Sequence, residues 1–154
     1  MADSTRKTQP GKRAWARRCA AQALYEWQVT NADPRHIADQ FLADDEADDD
    51  LAKADPRYFR ELLREIPAHA PEIDAALAPF LDRPLAQVDP VERAILRIGG
   101  YELLHHPEIA YRIVLNEAVE LAKVFGAEQG HRYVNGVLDK MARSVRTTEF
   151  TAPS

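Results

Sequence analysis

The chain has one cysteine, Cys19. A lone cysteine excludes an internal disulfide and fits a reducing, cytoplasmic setting. Its alanine neighbours on a helical face mark it as a core thiol rather than a nucleophile. Glycine and proline are also scarce, at six and ten residues among 154, and they are scattered. That leaves no long flexible linker and points to one domain or two small subdomains. No apolar run approaches the ~20 residues needed to cross a bilayer. No apolar segment follows the basic N-terminus either, so neither a membrane span nor a secretory signal is expected.

Motifs for catalysis and metal binding are missing too. The five histidines are His36, His69, His105, His106 and His131, and no two of them fall at metal-binding spacing. His105-His106 reads instead as a helix end where imidazoles meet the last carbonyls. There is no G-x-S-x-G elbow, phosphate-binding loop or dinucleotide fingerprint. The acidic run 44–50 lacks the glycine and terminal glutamate of a calcium loop and reads as a solvated loop. Glu117, Glu120 and Glu128 read as helix-surface carboxylates. No enzyme, metal site or cofactor is expected.

What is present is an uneven distribution of charge. Residues 1–18 carry Arg6, Lys7, Lys12, Arg13, Arg17 and Arg18 against Asp3 alone, a balance of +5. The whole chain is at −5, which leaves −10 for the rest. A basic arm on an acidic body is a common mark of nucleic-acid contact, although a solvated tail has the same composition. Residues 1–9 are expected to be a disordered arm.

From residue 10 onward the apolar residues repeat at three- and four-residue spacing and nothing reads as a strand. The first helix carries Ala16, Ala20, Ala23, Leu24 and Trp27 on one side and Arg13, Arg17 and Arg18 on another. Asp33-Pro34, Asp55-Pro56 and Asp89-Pro90 each combine a capping aspartate with a proline at the first helical position. Glu92 is placed to complete a capping box with Asp89. Pro67 and Pro71 mark a break. The helix opening at Pro90 is apolar nearly all round, as expected of a central helix. Gly99-Gly100 within it predicts a tight helix crossing that offsets the cost of two glycines, about 1 kcal/mol each.

The last two helices form a hairpin. Val114, Ala118, Leu121, Ala122 and Phe125 line the first, with Gly126 expected to end it in a left-handed conformation. Tyr133, Val134, Val137, Leu138, Met141 and Val145 line the second. Asn135-Gly136 is a β-turn signal in isolation, but its period-3.6 surroundings make it helical. The glycine then suggests a close helix approach, and Asn135 a buried partner. In total the sequence predicts an all-α fold of about seven helices, in subdomains of about 10–82 and 83–146, with a C-terminal tail 147–154.

Binding is the function class that remains. Arginines hold phosphates and stack on bases, and aromatic faces take unstacked RNA bases. Trp15, Tyr25 and Tyr133 are the candidate aromatics, with core packing the alternative for Tyr25 and Tyr133. Lys123 and Arg132 would extend the positive surface if the first helix lay beside the hairpin.

Four segments, in order, resemble the NusB family of bacterial transcription antitermination factors. They are RRCAAQALYEWQ from Arg17, FRELL from Phe59, VERAILRIGGYELL from Val91, and NEAVELAKVFG followed by HRYVNGVLDK in the hairpin. Gly99-Gly100 departs from the family pattern before Tyr101, and the acidic run is heavier than usual. The resemblance implies two small helical bundles sharing a core, and no catalysis. It also implies binding of single-stranded boxA RNA from ribosomal RNA leaders, together with NusE, a small-subunit ribosomal protein. The pair would join an RNA polymerase antitermination complex with other Nus factors. RNA contacts are implied at Lys12, Arg13, Arg17, Arg18, Tyr25, Gln129, Arg132 and Tyr133. NusE contacts are implied around Phe80, Glu92, Arg93 and Arg97. Some family members are homodimers. A NusB-like module that binds only protein is the alternative reading.

Overall fold

The computed structural model describes residues 11–43, 54–126 and 130–151. The arm 1–9, the acidic run 44–50 and Gln129 lie outside the described residues. Among those described there are eight α-helices, two short 3-10 turns and no strand. The helices are α1 (Lys12–Thr30), α2 (Pro34–Ala43), α3 (Pro56–Ala68), α4 (Ala70–Leu77), α5 (Pro90–His105), α6 (Tyr111–Phe125), α7 (Gly130–Val145) and α8 (Thr147–Thr151). The chain is all-α, as the periodicity predicts. It divides into two compact units, Met1–Glu65 and Ile66–Ser154. The division falls inside α3 rather than near residue 82, because α4 packs on α5 and α7.

All three Asp-Pro signals start helices. Asp33 Oδ1 accepts from the Arg35 amide at 2.9 Å. Asp55 Oδ1 accepts from the amides of Arg57 and Tyr58 at 3.0 and 3.2 Å. Asp89 Oδ2 accepts from those of Val91 and Glu92 at 3.1 and 3.2 Å. Each aspartate thereby satisfies N–H groups that the first helical turn leaves without intrahelical partners. At the other end of α1, Asn31 adopts φ 60°, a left-handed cap, and its amide reaches Trp27 O at 2.7 Å.

In the first unit, Ala16, Ala20, Ala23 and Leu24 of α1, Ile37 of α2, and Phe59 and Leu62 of α3 are buried. The Phe41 and Phe59 rings meet at 5.8 Å. The break after α3 is a single residue, His69. Pro67 stays within α3, and Pro71 serves the first turn of α4.

In the second unit the glycine pair does what the sequence predicts. A Cβ on Gly99 would stand 2.6 Å from Leu138 Cδ1 of α7, and one on Gly100 3.0 Å from Ile73 Cγ2 of α4. The two adjacent glycines therefore admit two different neighbours. Gly136 does not behave this way: nothing lies within 4 Å of its added Cβ, and Asn135 is exposed rather than buried. Both lie on the outer side of α7. Gly126 ends α6 in extended backbone, φ −103°, not in the left-handed region. Its amide reaches Ala122 O at 2.7 Å, which closes the helix without a left-handed turn.

The predicted tail is in part structured. Arg146 is buried and all of its guanidinium nitrogens donate. Nε reaches Leu103 O at 2.8 Å, and Nη1 reaches Ile109 O at 2.9 Å. Nη2 reaches Glu102 O at 3.1 Å and His106 O at 3.0 Å. Nη1 also pairs with Glu149. Glu149 Oε2 in turn accepts from the Tyr111 amide at 3.1 Å. Burial would push the Glu149 carboxyl up, but this amide and Arg146 outweigh it and hold the carboxyl below its ordinary range. The Tyr111 and Phe150 rings meet alongside, tilted by 41° with centroids 4.4 Å apart. These contacts make α8 a helix.

Replacing Arg146 by alanine removes the guanidinium donors from Leu103 O and Ile109 O, while Glu102 O and His106 O keep backbone donors and Glu149 keeps the Tyr111 amide. At ~1–3 kcal/mol for each buried acceptor left without a donor, the expected loss is about 2–5 kcal/mol, seen as a fall of roughly 10 °C in Tm by circular dichroism. Lysine, which lacks the planar fork, recovers little of it.

Candidate nucleic-acid interface

The basic residues of α1 occupy its first two turns. This helix start has no acidic residue in its first turn and no side-chain cap on its amides. Cations there oppose the helix dipole at a cost of typically 0.3–1 kcal/mol each. Lys12 and Arg13 are exposed, and Arg18 is half-buried. Arg18 stacks on the Trp15 ring at 4.5 Å. Arg13 lies over the Tyr58 ring at 4.3 Å and Arg17 over the same ring at 5.5 Å. Arg17 itself is only 5% exposed. It does not share the open side of α1 with Arg13 and Arg18, because one turn beyond Arg13 it is drawn under Tyr58. Tyr25 is exposed at 42% and is not a core residue.

Sequence reasoning did not single out Tyr58. It is buried at 2% and sits one turn before Leu62 on the apolar side of α3. That register was the available signal.

In the second unit, Tyr133 and Arg132 lie at the start of α7. Arg132 is exposed and Tyr133 half-buried. The Tyr133 hydroxyl donates to Asp82 Oδ1 at 3.0 Å and accepts from the Asp82 amide at 3.4 Å. Asp82 is clasped by Arg83, with Nε and Nη2 each at 2.9 Å. The Arg83 guanidinium stands 5.9 Å from the Tyr133 ring centre. Arg83 and the Tyr133 hydroxyl hold the Asp82 carboxyl below its ordinary range. Burial, helped by the bond to Asp82, raises the Tyr133 phenol. Neither Asp82 nor Arg83 was anticipated. Asp82 comes to Tyr133 from 51 residues away, a distance no local pattern records.

Of the residues expected to meet a protein partner, Phe80 is half-buried in the 3-10 turn Ala78–Phe80. The Glu92 carboxylate lies against Gly130, where an added Cβ would stand 2.8 Å from its Oε2. Burial and the neighbouring Asp89 push it above the ordinary carboxylate range. Arg97 makes a two-point pair with Asp74 at 3.0 and 2.8 Å. Arg93 donates to Val88 O at 3.3 Å, and its buried Nε has no hydrogen-bond partner among the described residues.

Among the described residues, the side chains of His69 and Glu72, three positions apart, converge with that of His105 from much later in the chain. Folding of α4 onto α5 supplies the proximity.

The NusB family model matches residues 15–143. Transcription antitermination protein NusB of Nitrosococcus oceani is 56% identical over 139 residues, which are 90% of this chain and 90% of that one. The protein of the same name from Pseudomonas entomophila is 45% identical over 151 residues, 98% of this chain and 89% of that one. A solved structure of T. maritima NusB aligns with a TM-score of 0.74 at 26% identity, over 92% of this chain and 99% of that one.

The Asp82 geometry makes a prediction. Folding lowers the Asp82 pKa, so its contribution to stability is complete above about pH 4. It is lost as the pH falls through the lowered value. Tyr133→Phe should move the Asp82 titration midpoint upward, read by carboxylate NMR, with the fold otherwise unchanged.

Proposed function

Since this chain belongs to the NusB family of transcription antitermination proteins, we propose that it binds single-stranded boxA RNA of ribosomal RNA leaders with NusE. In this role it helps RNA polymerase, with other Nus factors, to avoid premature termination. The family is a non-enzymatic one. Among the described residues no helix is long and apolar enough to cross a membrane.

The observation that carries the RNA reading is the start of α1. Lys12, Arg13 and Arg18 sit with Trp15 at an uncapped helix N-terminus, and Tyr25 is exposed further along the helix. Backbone amides at such an end point toward an incoming anion, and the dipole favours it. Cations that oppose the dipole in the free protein become favourable once phosphate arrives. Trp15 and Tyr25 offer faces for bases. Arg17 acts from beneath, holding Tyr58 and with it Arg13. In the second unit, Arg132 and Tyr133 of α7 are further proposed RNA contacts, where Asp82 holds the Tyr133 hydroxyl and Arg83 supplies a cation. Gln129 is proposed as an RNA contact from family resemblance alone. Phe80, Glu92, Arg93 and Arg97 are the proposed NusE surface. The acidic groups Asp82 and Glu92 near Tyr133 favour the second reading, a module that binds protein alone.

Substituting Lys12, Arg13 and Arg18 together by alanine should weaken RNA binding while the helical signal is retained. If about four phosphates are neutralised, log K falls with log salt at a slope near −3 for a single strand, and the triple variant should keep about −1. Tyr25→Ala should cost ~1–3 kcal/mol of affinity from lost stacking. Unchanged affinity and slope in the triple variant would reject this face and leave the protein-only reading. Arg17→Ala serves as a separate control, expected to lower Tm as well as affinity.

A further inference from the structure

We propose that His69, Glu72 and His105 form a binding site for one divalent transition-metal cation of the zinc class, joining the start of α4 to the end of α5. His105 Nε2 stands 2.8 Å from Glu72 Oε1, and His69 Nδ1 stands 3.6 Å from the same oxygen. All three ligand atoms lie within 4.8 Å of one another. Zinc bonds of about 2.0–2.2 Å place tetrahedral ligand atoms roughly 3.3 Å apart. The observed separations bracket that spacing, so small side-chain rotations bring all three donors onto one ion.

The scaffold beneath the donors is fixed. Arg97 and Asp74 pair across the same two helices, and Gly100 lets Ile73 and Leu77 close against α5. Tyr101, itself buried, stacks on the His105 ring with centroids 5.2 Å apart and an interplanar angle of 27°. The His69 and His105 rings are 4.7 Å apart. His105 occupies the last turn of α5, where the carbonyl end of the dipole favours a cation. The positive end of the shorter α4 opposes it, and Glu72 in the first turn of α4 offsets that opposition.

The donor set chooses the ion. Two imidazoles and one carboxylate suit zinc, cobalt or nickel. Calcium and magnesium want oxygen ligands throughout. Side-chain exposures of 39%, 55% and 30% for His69, Glu72 and His105 leave a path for entry and a fourth position open to water. Glu72 and His105 are 33 residues apart in sequence, so the site exists only in the folded chain. Metal binding must then stabilise the fold, by about a hundredfold in the folding constant when the free ion is at 100 times Kd.

The test is calorimetric titration of the metal-free full chain with zinc chloride, with magnesium chloride in parallel, together with thermal denaturation at increasing zinc. The expected result is one equivalent of zinc bound, a Tm that rises with zinc, and no saturable magnesium binding. H69A, E72Q and H105A should each weaken zinc binding at least tenfold. H106A, whose ring pairs with Glu108 at 2.6 Å, should not. Should a variant fail to fold, the wild-type chain decides by NMR: zinc must shift the ring signals of His69 and His105 and leave those of His36 and His131 in place. The absence of one-equivalent binding, an affinity unchanged in H69A and H105A, or shifts at the other histidines instead would overturn the assignment.

Discussion

The second unit depends on a single buried cation. A helix end leaves four carbonyls without intrahelical partners, and α5 ends inside the unit rather than in solvent. Arg146 supplies what water cannot, reaching Glu102 O, Leu103 O, His106 O and Ile109 O with one planar group. Its ion pair with Glu149 then passes the constraint on, because Glu149 also receives the first amide of α6. The end of α5, the turn after it, the start of α6, the end of α7 and the whole of α8 are thereby set by one side chain. Such a group is costly to bury and more costly to remove, since the acceptors it leaves behind stay buried.

Around that fixed point α5 acts as the central helix. Gly99 admits Leu138 of α7 and Gly100 admits Ile73 of α4. Asp89 closes its first turn and Arg146 its last. This arrangement exposes the start of α7, with Tyr133 pinned to Asp82, and it brings His105 to the start of α4. In the first unit a comparable role falls to Tyr58. Its buried ring carries Arg13 on one side and draws in Arg17, which sorts the basic residues of α1 into an accessible set and a supporting one.

Local chemistry made much of this legible in the sequence. Three Asp-Pro pairs started three helices because capping needs only residues two or three positions apart. The 3.6 periodicity placed seven helices, and Gly99-Gly100 predicted the crossing. The misreadings have a common physical cause. Asn135-Gly136 sits within an apolar pattern but on its outer side. Gly126 closes α6 through its amide rather than its φ. The tail became helical because Arg146 and Glu149 meet elements from earlier in the chain. Tyr58 against Arg13, Asp82 against Tyr133, and Glu72 against His105 all join residues tens of positions apart. Spacing along the chain does not encode such meetings. The proposed RNA contacts come from family resemblance, and only the structure shows that Arg17, unlike Arg13 and Arg18, is buried.

We propose that the accessible cations and aromatics of α1 read boxA RNA together with NusE. This reading is tested most directly by fluorescence anisotropy of labelled boxA RNA titrated with the protein alone and with NusE, against a scrambled RNA of equal length. Tighter binding to boxA than to the scrambled strand, improved further by NusE, is the expected result. Equal, weak binding to both RNAs, unaffected by NusE, would contradict it and reduce the basic start of the chain to a nonspecific charge.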